Sequence, residues 1–433
     1  MLAHQKDIEL KARICRADSR SSVHPTKPLS VLVAVVFMEA VSMNVVLPLL
    51  PFYAEHYGAS PEMVTQLFAT FSVSTLLISP IVGKLGDRFG LKPVFLLSIF
   101  GTSMAFVGLA FAQGMTGLFV WRAVGGAMAA NLAVAQAYAA RLSSAGSRAR
   151  AIGQLTAANG AGMAIGPGIG AAIAGIWGAG DFSVPFMIAA GISALTIAVG
   201  FVWLSEPARA PASAPPAAND KAAPAAQRAR DLTAQGGVSL GFAYLLPLAF
   251  GLAFCLNASV AVTALWAERR LGWGPPEVGS LLTAVGTITL VSQGALVGPL
   301  VRRFGEVGVL TGACAVLVGS CIAVSFANSS AGASVCFLLL YLAVGLANVS
   351  SHALVSLAAK QGEQGAAMGM NLTVRSVARI VSMLVAGVVF ARVSPSAPFL
   401  LAAAVLLMSA GATFATWHYR TRLLRVRVPR SLP

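Results

Sequence analysis

Apolar residues dominate twelve stretches of this chain, near 29–51, 63–83, 94–112, 116–140, 151–177, 183–205, 240–266, 278–300, 307–327, 333–358, 365–390 and 397–419. Each approaches the ~20 residues that an α-helix needs to cross the hydrocarbon layer of a bilayer. The stretches fall into two groups of six. Between them, residues 206–239 are rich in Ala and Pro with scattered charge, a composition that buries too little surface to fold and reads as a flexible linker. The pattern predicts an all-α membrane protein of twelve transmembrane helices. Its expected parts are a basic tail over 1–28, a six-helix bundle over 29–205, the linker, a second six-helix bundle over 240–419, and a basic tail over 420–433.

Composition agrees with lipid as the solvent. The 433 residues are 57% hydrophobic and 10% charged, against about 25% charged in a soluble domain, and the mean hydropathy is +0.78. A net charge of +15 would point to nucleic acid in a soluble protein. Here most Lys and Arg fall in the two tails, the linker and the loops between spans 2 and 3, 4 and 5, 8 and 9, and 10 and 11, while Arg269, Arg270 and Arg392 fall on the opposite side. The positive-inside rule then places both termini and the linker in the cytoplasm, with no nucleic-acid partner. The first 28 residues lack the apolar core and cleavage site of a secretory signal, so the first span is expected to remain uncleaved. Cys15, Cys255, Cys314, Cys321 and Cys336 show no metal-ligand spacing and read as small packing residues. No metal, cofactor or catalytic residue is expected, and an enzyme is not.

Gly83-Lys84-Leu85-Gly86-Asp87-Arg88-Phe89-Gly90 is echoed by Gly298-Pro299-Leu300-Val301-Arg302-Arg303-Phe304-Gly305. Gly, Leu, Arg, Phe and Gly recur at the same offsets, each time between two apolar runs, which implies a duplicated membrane unit. Asp87 facing Arg302 in this comparison makes the two halves inequivalent.

Residues 83–92 resemble the signature G-x-L-x-D-R-x-G-R-[RK] of the major facilitator superfamily. Arg122 and Gly126 resemble that family's span 4 signature. Gly162-Met163-Ala164-Ile165-Gly166-Pro167-Gly168-Ile169-Gly170 resembles the span 5 signature of its antiporters, and Leu47-Pro48-Leu49-Leu50-Pro51 is similar to the twelve-span drug:proton antiporter branch. The resemblance covers essentially the whole chain and implies two pseudo-symmetric six-helix bundles that transport by alternating access. It assigns a gating role to Gly83, Asp87, Arg88 and Gly90, with Asp87 capping the start of span 11 and latching the outward-open state. Two positions depart from the family pattern: Leu91 stands where Arg is usual, and Arg141 where Asp is usual. Those family residues pair with each other, so losing both is self-consistent and predicts a looser latch that relies on Asp87 alone. Gly162, Gly166 and Gly170 share one helix face and invite close approach of another backbone, while Pro167 permits a kink. Tight packing without a mechanistic role is the alternative.

Four charges fall within spans: Glu39, Arg122, Arg375 and Arg379. A charge at mid-bilayer costs at least about 2.5–3.5 kcal/mol, so each is a functional candidate. Glu39 is the one acidic residue within a span, and burial disfavours its charged form, which suits a group that takes up and releases a proton. Ser42 shares its face. Arg122 is expected to reach Glu39 across a cavity between spans 1 and 4, either as a proton-sensitive pair or as a permanent one. Arg375 and Arg379, one turn apart, either make that cavity basic or hold span 11 against cytoplasmic loops. A basic cavity favours a ligand with carboxylate, phosphate or hydroxamate oxygens. Asn131, Gln136, Asn257 and His352 are further cavity candidates, with helix bridging as the alternative.

These readings converge on a monomeric secondary transporter, in contact with lipid, protons and a small-molecule substrate, that exports a drug or siderophore-like metabolite by proton antiport. Proton-coupled uptake on the same fold and a non-transporting membrane receptor are the competing classes. Compact loops and Ala/Gly-heavy composition point to a bacterial inner membrane.

Overall fold

The computed structural model describes residues 26–129, 131–143, 147–177, 182–207, 242–359 and 364–426. These residues are almost wholly helical. The N-terminal tail to residue 25, the linker from 208 to 241 and the tail beyond 426 lie outside the described residues.

The first half contains α1 (Thr26–Val46), α2 (Leu50–His56), α3 (Pro61–Phe89), α4 (Leu91–Ala110), α5 (Met115–Met128), α6 (Asn131–Leu142), α7 (Arg148–Trp177) and α8 (Ser183–Trp203). The second half opens with a short 3₁₀ turn, Ala243–Leu245. It continues as α9 (Leu246–Leu271), α10 (Pro275–Val291), α11 (Val297–Phe326), α12 (Ser330–Ala358), α13 (Gln364–Arg392) and α14 (Ala397–Val426). Local chemistry sets these limits. Pro48 lacks an N–H and crowds the carbonyl of Asn44, so span 1 is broken into α1 and α2 at residues 47–49. Ser60 caps α3 by accepting from the Met63 amide at 3.3 Å, with Pro61 at the first helical position. α10 continues through a π-helical turn, Ser292–Leu296, into α11.

Ten stretches of the described residues are long and apolar enough to cross a membrane. One of them, Pro275–Phe326, is 52 residues long and turns at Gly305, whose φ of 72° interrupts the helix. It therefore makes two crossings. α7, 30 residues long, packs among the others, and with it the described helices supply twelve crossings. Large apolar side chains point outward, among them Leu77, Ile176, Phe201, Phe326 and Leu357. That surface needs lipid: the protein is an integral membrane protein.

Two differences from the sequence pattern stand out. Span 4 is two helices, α5 and α6, rather than one. The last helix runs on to Val426, past the expected end at 419, through Arg, Leu and Thr residues of which Arg and Leu favour helix. α1 lies against α7 and α8, and α4 against α5 and α8. In the second half α9 lies against α13 and α14, and α11 against α12. The halves meet where α7 packs on α10 and α3 on α13. A core aromatic triad, Trp266, Phe337 and Phe399, fastens α9, α12 and α14 with edge-on rings 5.6–6.0 Å apart. Cys255, Cys314, Cys321 and Cys336 are free thiols.

Candidate functional site: a carboxyl cluster and a guanidinium cluster

Glu39 sits in α1 and is only 7% exposed. Asn131 Nδ2 donates to its Oε1 at 2.8 Å, and Ser193 Oγ, from α8, donates to its Oε2 at 3.2 Å. Ser42 Oγ donates to the Glu39 carbonyl at 2.8 Å and lies 3.0 Å from Ser193 Oγ. Asn131, on α6, presents its amide to Glu39 from span 4. Each carboxylate oxygen thus has a neutral donor. None of the ion pairs among the described residues involves Glu39.

The glycine stripe of α7 holds this cluster against the rest of the molecule. A Cβ on Gly162 would lie 2.5 Å from Ala40 Cβ, and one on Gly166 would lie 2.6 Å from Asn44 Cβ and 2.9 Å from the Val41 carbonyl oxygen. The stripe therefore seats α7 directly on the turns of α1 that carry Glu39. The other side of α7 meets the second half. A Cβ on Gly168 would sit 2.7 Å from Thr283 Oγ1, and one on Gly286 would sit 2.5 Å from Ala164 Cα. α7 is a wedge between Glu39's helix and α10.

Arg122 does not reach Glu39, which corrects the expected pair. Its guanidinium lies 5.7 Å from the Phe68 ring centroid and 5.0 Å from that of Phe71, both on α3. Arg122 lies on α5, whereas Asn131, the residue that does bind Glu39, lies on α6. The aromatic faces replace a carboxylate as its partner, and its buried Nε has no hydrogen bond among the described residues.

The second cluster joins α12 and α13. Arg375 donates from Nη2 to Asn348 Oδ1, and Asn371 Nδ2 lies 3.3 Å from His352 Nδ1. Asn371, Arg375 and Arg379 follow one another at four-residue spacing on one face. Arg375 Nη1 and Asn371 Oδ1 are buried without a partner, so this cluster presents unused hydrogen-bonding capacity. Gln136 and Asn257 join neither cluster. Gln136 is half-buried on α6, and Asn257 spends its amide on the Ala253 carbonyl of its own helix at 2.7 Å. Ser193, Phe68 and Phe71 were not legible as site residues, because a serine and two phenylalanines in apolar helices carry no distinguishing spacing.

The two copies of the echo adopt matching backbones. Gly90 has φ 101° and ψ 158°, and Gly305 has φ 72° and ψ 165°, a conformation open to glycine. Arg88 lies over Phe89 and Arg303 over Phe304, at 5.3 and 5.5 Å. Asp87 does not stand alone: Arg141 Nη2 lies 3.1 Å from its Oδ1, so the residue that departs from the family pattern supplies a partner. This corrects the expectation of a latch resting on Asp87 by itself. Leu91 is buried, and its amide and that of Lys92 each donate to a Glu206 oxygen at 2.8 Å. A carboxylate thus caps the positive end of α4. At the opposite end of the molecule, remote from the linker, ion pairs cross between halves: Arg392 with Glu62 at 3.2 Å and Arg269 with Glu55 at 3.4 Å.

Residues 32–383, and again 248–430, match the family model described as Major Facilitator Superfamily. The tetracycline resistance protein, class B, of Escherichia coli is 26% identical over 387 residues, covering 83% of this chain and 88% of that protein. Multidrug resistance protein 2 of Bacillus subtilis is 25% identical over 400 residues, covering 91% and 96%. Among solved structures, a bacterial homolog of the human lysosomal transporter Spinster, inward-facing and unoccupied, superposes with a TM-score of 0.74 at 14% identity over 91% of this chain and 97% of that one. The human organic anion transporter MFSD10 does so with 0.65 at 19% identity over 90% and 99%. Twelve crossings, a repeated signature and a match spanning nearly the full length lead to one conclusion: this chain belongs to the major facilitator superfamily, a family of membrane transporters.

Proposed function

We propose that this protein exports an anionic or zwitterionic small molecule, drug-like or siderophore-like, in exchange for protons. The observation that carries this reading is the setting of Glu39. A buried carboxylate without a cation costs several kcal/mol, while Asn131 and Ser193 donate to the ionised form and the Ser193 hydroxyl, by turning towards Ser42, can accept from the protonated one, so the group is suited to load a proton and lose it when its surroundings change. α7 connects that event to α10, because a shift of α1 must move the helix whose glycines grip it. The guanidinium cluster on α12 and α13 supplies the opposite chemistry: a bidentate fork with free donors for carboxylate, phosphate or hydroxamate oxygens. Arg122, over its two rings, adds a second cation on the first half. The names of the resistance-protein relatives support export rather than uptake. Basic loops support placing the linker end in the cytoplasm. With ion pairs crossing the halves at the far end, this conformation would then open inward.

The test is efflux from vesicles loaded with anionic chelators or lipophilic cations under an imposed pH gradient. Gradient-driven efflux of the anionic class is expected, and Glu39→Gln should abolish it while leaving substrate exchange intact. Unimpaired coupling in Glu39→Gln would refute the proton role, and transport restricted to lipophilic cations would refute the anionic substrate.

A further inference from the structure

Two polar side chains of α13 are each held by one end against α12, and the other end of each is left open. Asn348 accepts from Nη2 of Arg375, which anchors that guanidinium without using Nη1. Nδ1 of His352 lies 3.3 Å from Nδ2 of Asn371. An amide nitrogen only donates, so Nδ1 accepts and the ring carries its proton on Nε2. This turns Oδ1 of Asn371 away from the histidine. Nη1 of Arg375 and Oδ1 of Asn371 are both buried and have no hydrogen-bond partner among the described residues. They therefore do not satisfy each other.

The two open groups are of opposite kinds: Nη1 only donates and Oδ1 only accepts. Asn371 and Arg375 stand one turn apart on the same face of α13, with Cβ atoms about 5–6 Å from each other at that spacing. Asn371 is fully buried, and a buried acceptor left without a donor is disfavoured. Its neighbours do not supply one. The hydroxyl of Ser376 is spent on the Leu372 carbonyl at 2.8 Å, and Arg379, a turn further on, is exposed. Asn348, His352 and Arg375 are half-buried, which gives the cluster an open edge. A ligand that brings an oxyanion alone completes only half of this site.

We propose that the cluster selects ligands in which an oxyanion stands beside an O–H or N–H group, namely 2-hydroxy carboxylates and hydroxamates, over plain carboxylates. This deepens the reading of the cluster as an anion site and rests on it. The oxyanion accepts from Nη1 of Arg375, and the adjoining O–H or N–H donates to Oδ1 of Asn371. His352 is a positioning residue, because it fixes which end of the Asn371 amide faces the ligand.

Mandelate and O-methylmandelate test this on the purified full-length protein. Both carry the same ring and carboxylate, and only the first has a hydroxyl donor beside it. Ligand-observed NMR titration reads both affinities. Mandelate is expected to bind at least about tenfold more tightly, the cost of leaving a buried acceptor unpaired. Asn371→Leu, which removes the acceptor at similar bulk, should erase the preference by weakening mandelate and sparing O-methylmandelate. Arg375→Gln should weaken both anions alike. Equal affinity of the two anions for the wild-type protein, a comparison that needs no variant to fold, would overturn the selectivity and leave the anion site standing. A preference that survives Asn371→Leu would overturn it as well. Binding of neither anion would overturn the anion site itself, and the selectivity with it.

Discussion

The two halves bury opposite chemistry at corresponding depths of the fold. The first encloses a carboxyl among neutral donors, with its one buried arginine set apart over aromatic rings. The second gathers an arginine, a histidine and two amides across α12 and α13 and leaves a guanidinium nitrogen unpartnered. A duplicated unit has no intrinsic reason to differ in this way. On the proposed reading the difference assigns each half a different ligand: the first a proton, which needs a group whose charge can change, and the second an anion, which needs a group whose charge cannot. Arginine keeps its proton in any realistic setting, so on the proposed reading Arg375 suits an oxyanion better than a proton.

Such a division requires a mechanical link, and the comparison breaks most severely where that link is cut. Gly166 is the sharpest place, because a Cβ there meets both Asn44 and the Val41 carbonyl. Overpacking of this kind costs about 1–3 kcal/mol and sometimes more. Gly166→Leu is expected to lower the melting temperature by several degrees and abolish gradient-driven efflux. Gly175→Leu, on the same helix with open space around it, should leave both unchanged. Equal damage from the two substitutions, measured by thermal unfolding in detergent and by vesicle efflux, would mean that α7 tolerates no leucine anywhere and that the stripe has no special standing.

The next effect separates the clusters by ligand. Hydrogen bonds to charged groups contribute about 1.5–3 kcal/mol, so Arg375→Gln should weaken binding of an anionic chelator by about 10–100-fold. Glu39→Gln, measured at a fixed pH, should leave that affinity nearly unchanged. Titration calorimetry on the purified protein reads both. Should Glu39→Gln weaken the anion as much as Arg375→Gln does, the proton and the anion would share one site and the division between halves would fall.

Much of this was legible in the sequence, and the rest failed for identifiable reasons. Twelve crossings and the duplication follow from the long apolar runs and from the echo, because burial of backbone in lipid leaves helices as the solution for such runs. Glu39 stood out because a lone acid in an apolar span is costly wherever it points. Its partners did not. The Arg122 pairing was expected from the reach of its side chain across a cavity, but Phe68 and Phe71 face its guanidinium and Asn131 meets Glu39 instead. Asn131 and Ser42 were named as cavity residues, but only the folded chain shows that Ser193 of α8 completes the set.

The smallest effect tests how far the two copies of the repeat have diverged. In the first copy Asp87 meets Arg141 at 3.1 Å, with the aspartate 72% exposed; in the second, Arg302 occupies the corresponding place. Exposed ion pairs contribute about 0.2–1 kcal/mol and are screened by salt. Asp87→Asn and Arg141→Gln should each lower stability by that amount at low salt, and the double variant should cost no more than either alone, since the second substitution finds the pair already broken. Raising the salt to about 1 M, where screening acts within about 3 Å, should erase the difference between wild type and variants. If Asp87→Asn instead changes accessibility at the linker end while Arg141→Gln leaves it unaltered, Asp87 acts there without its arginine, and the first copy keeps a latch that the second lost when Arg302 took the aspartate's place.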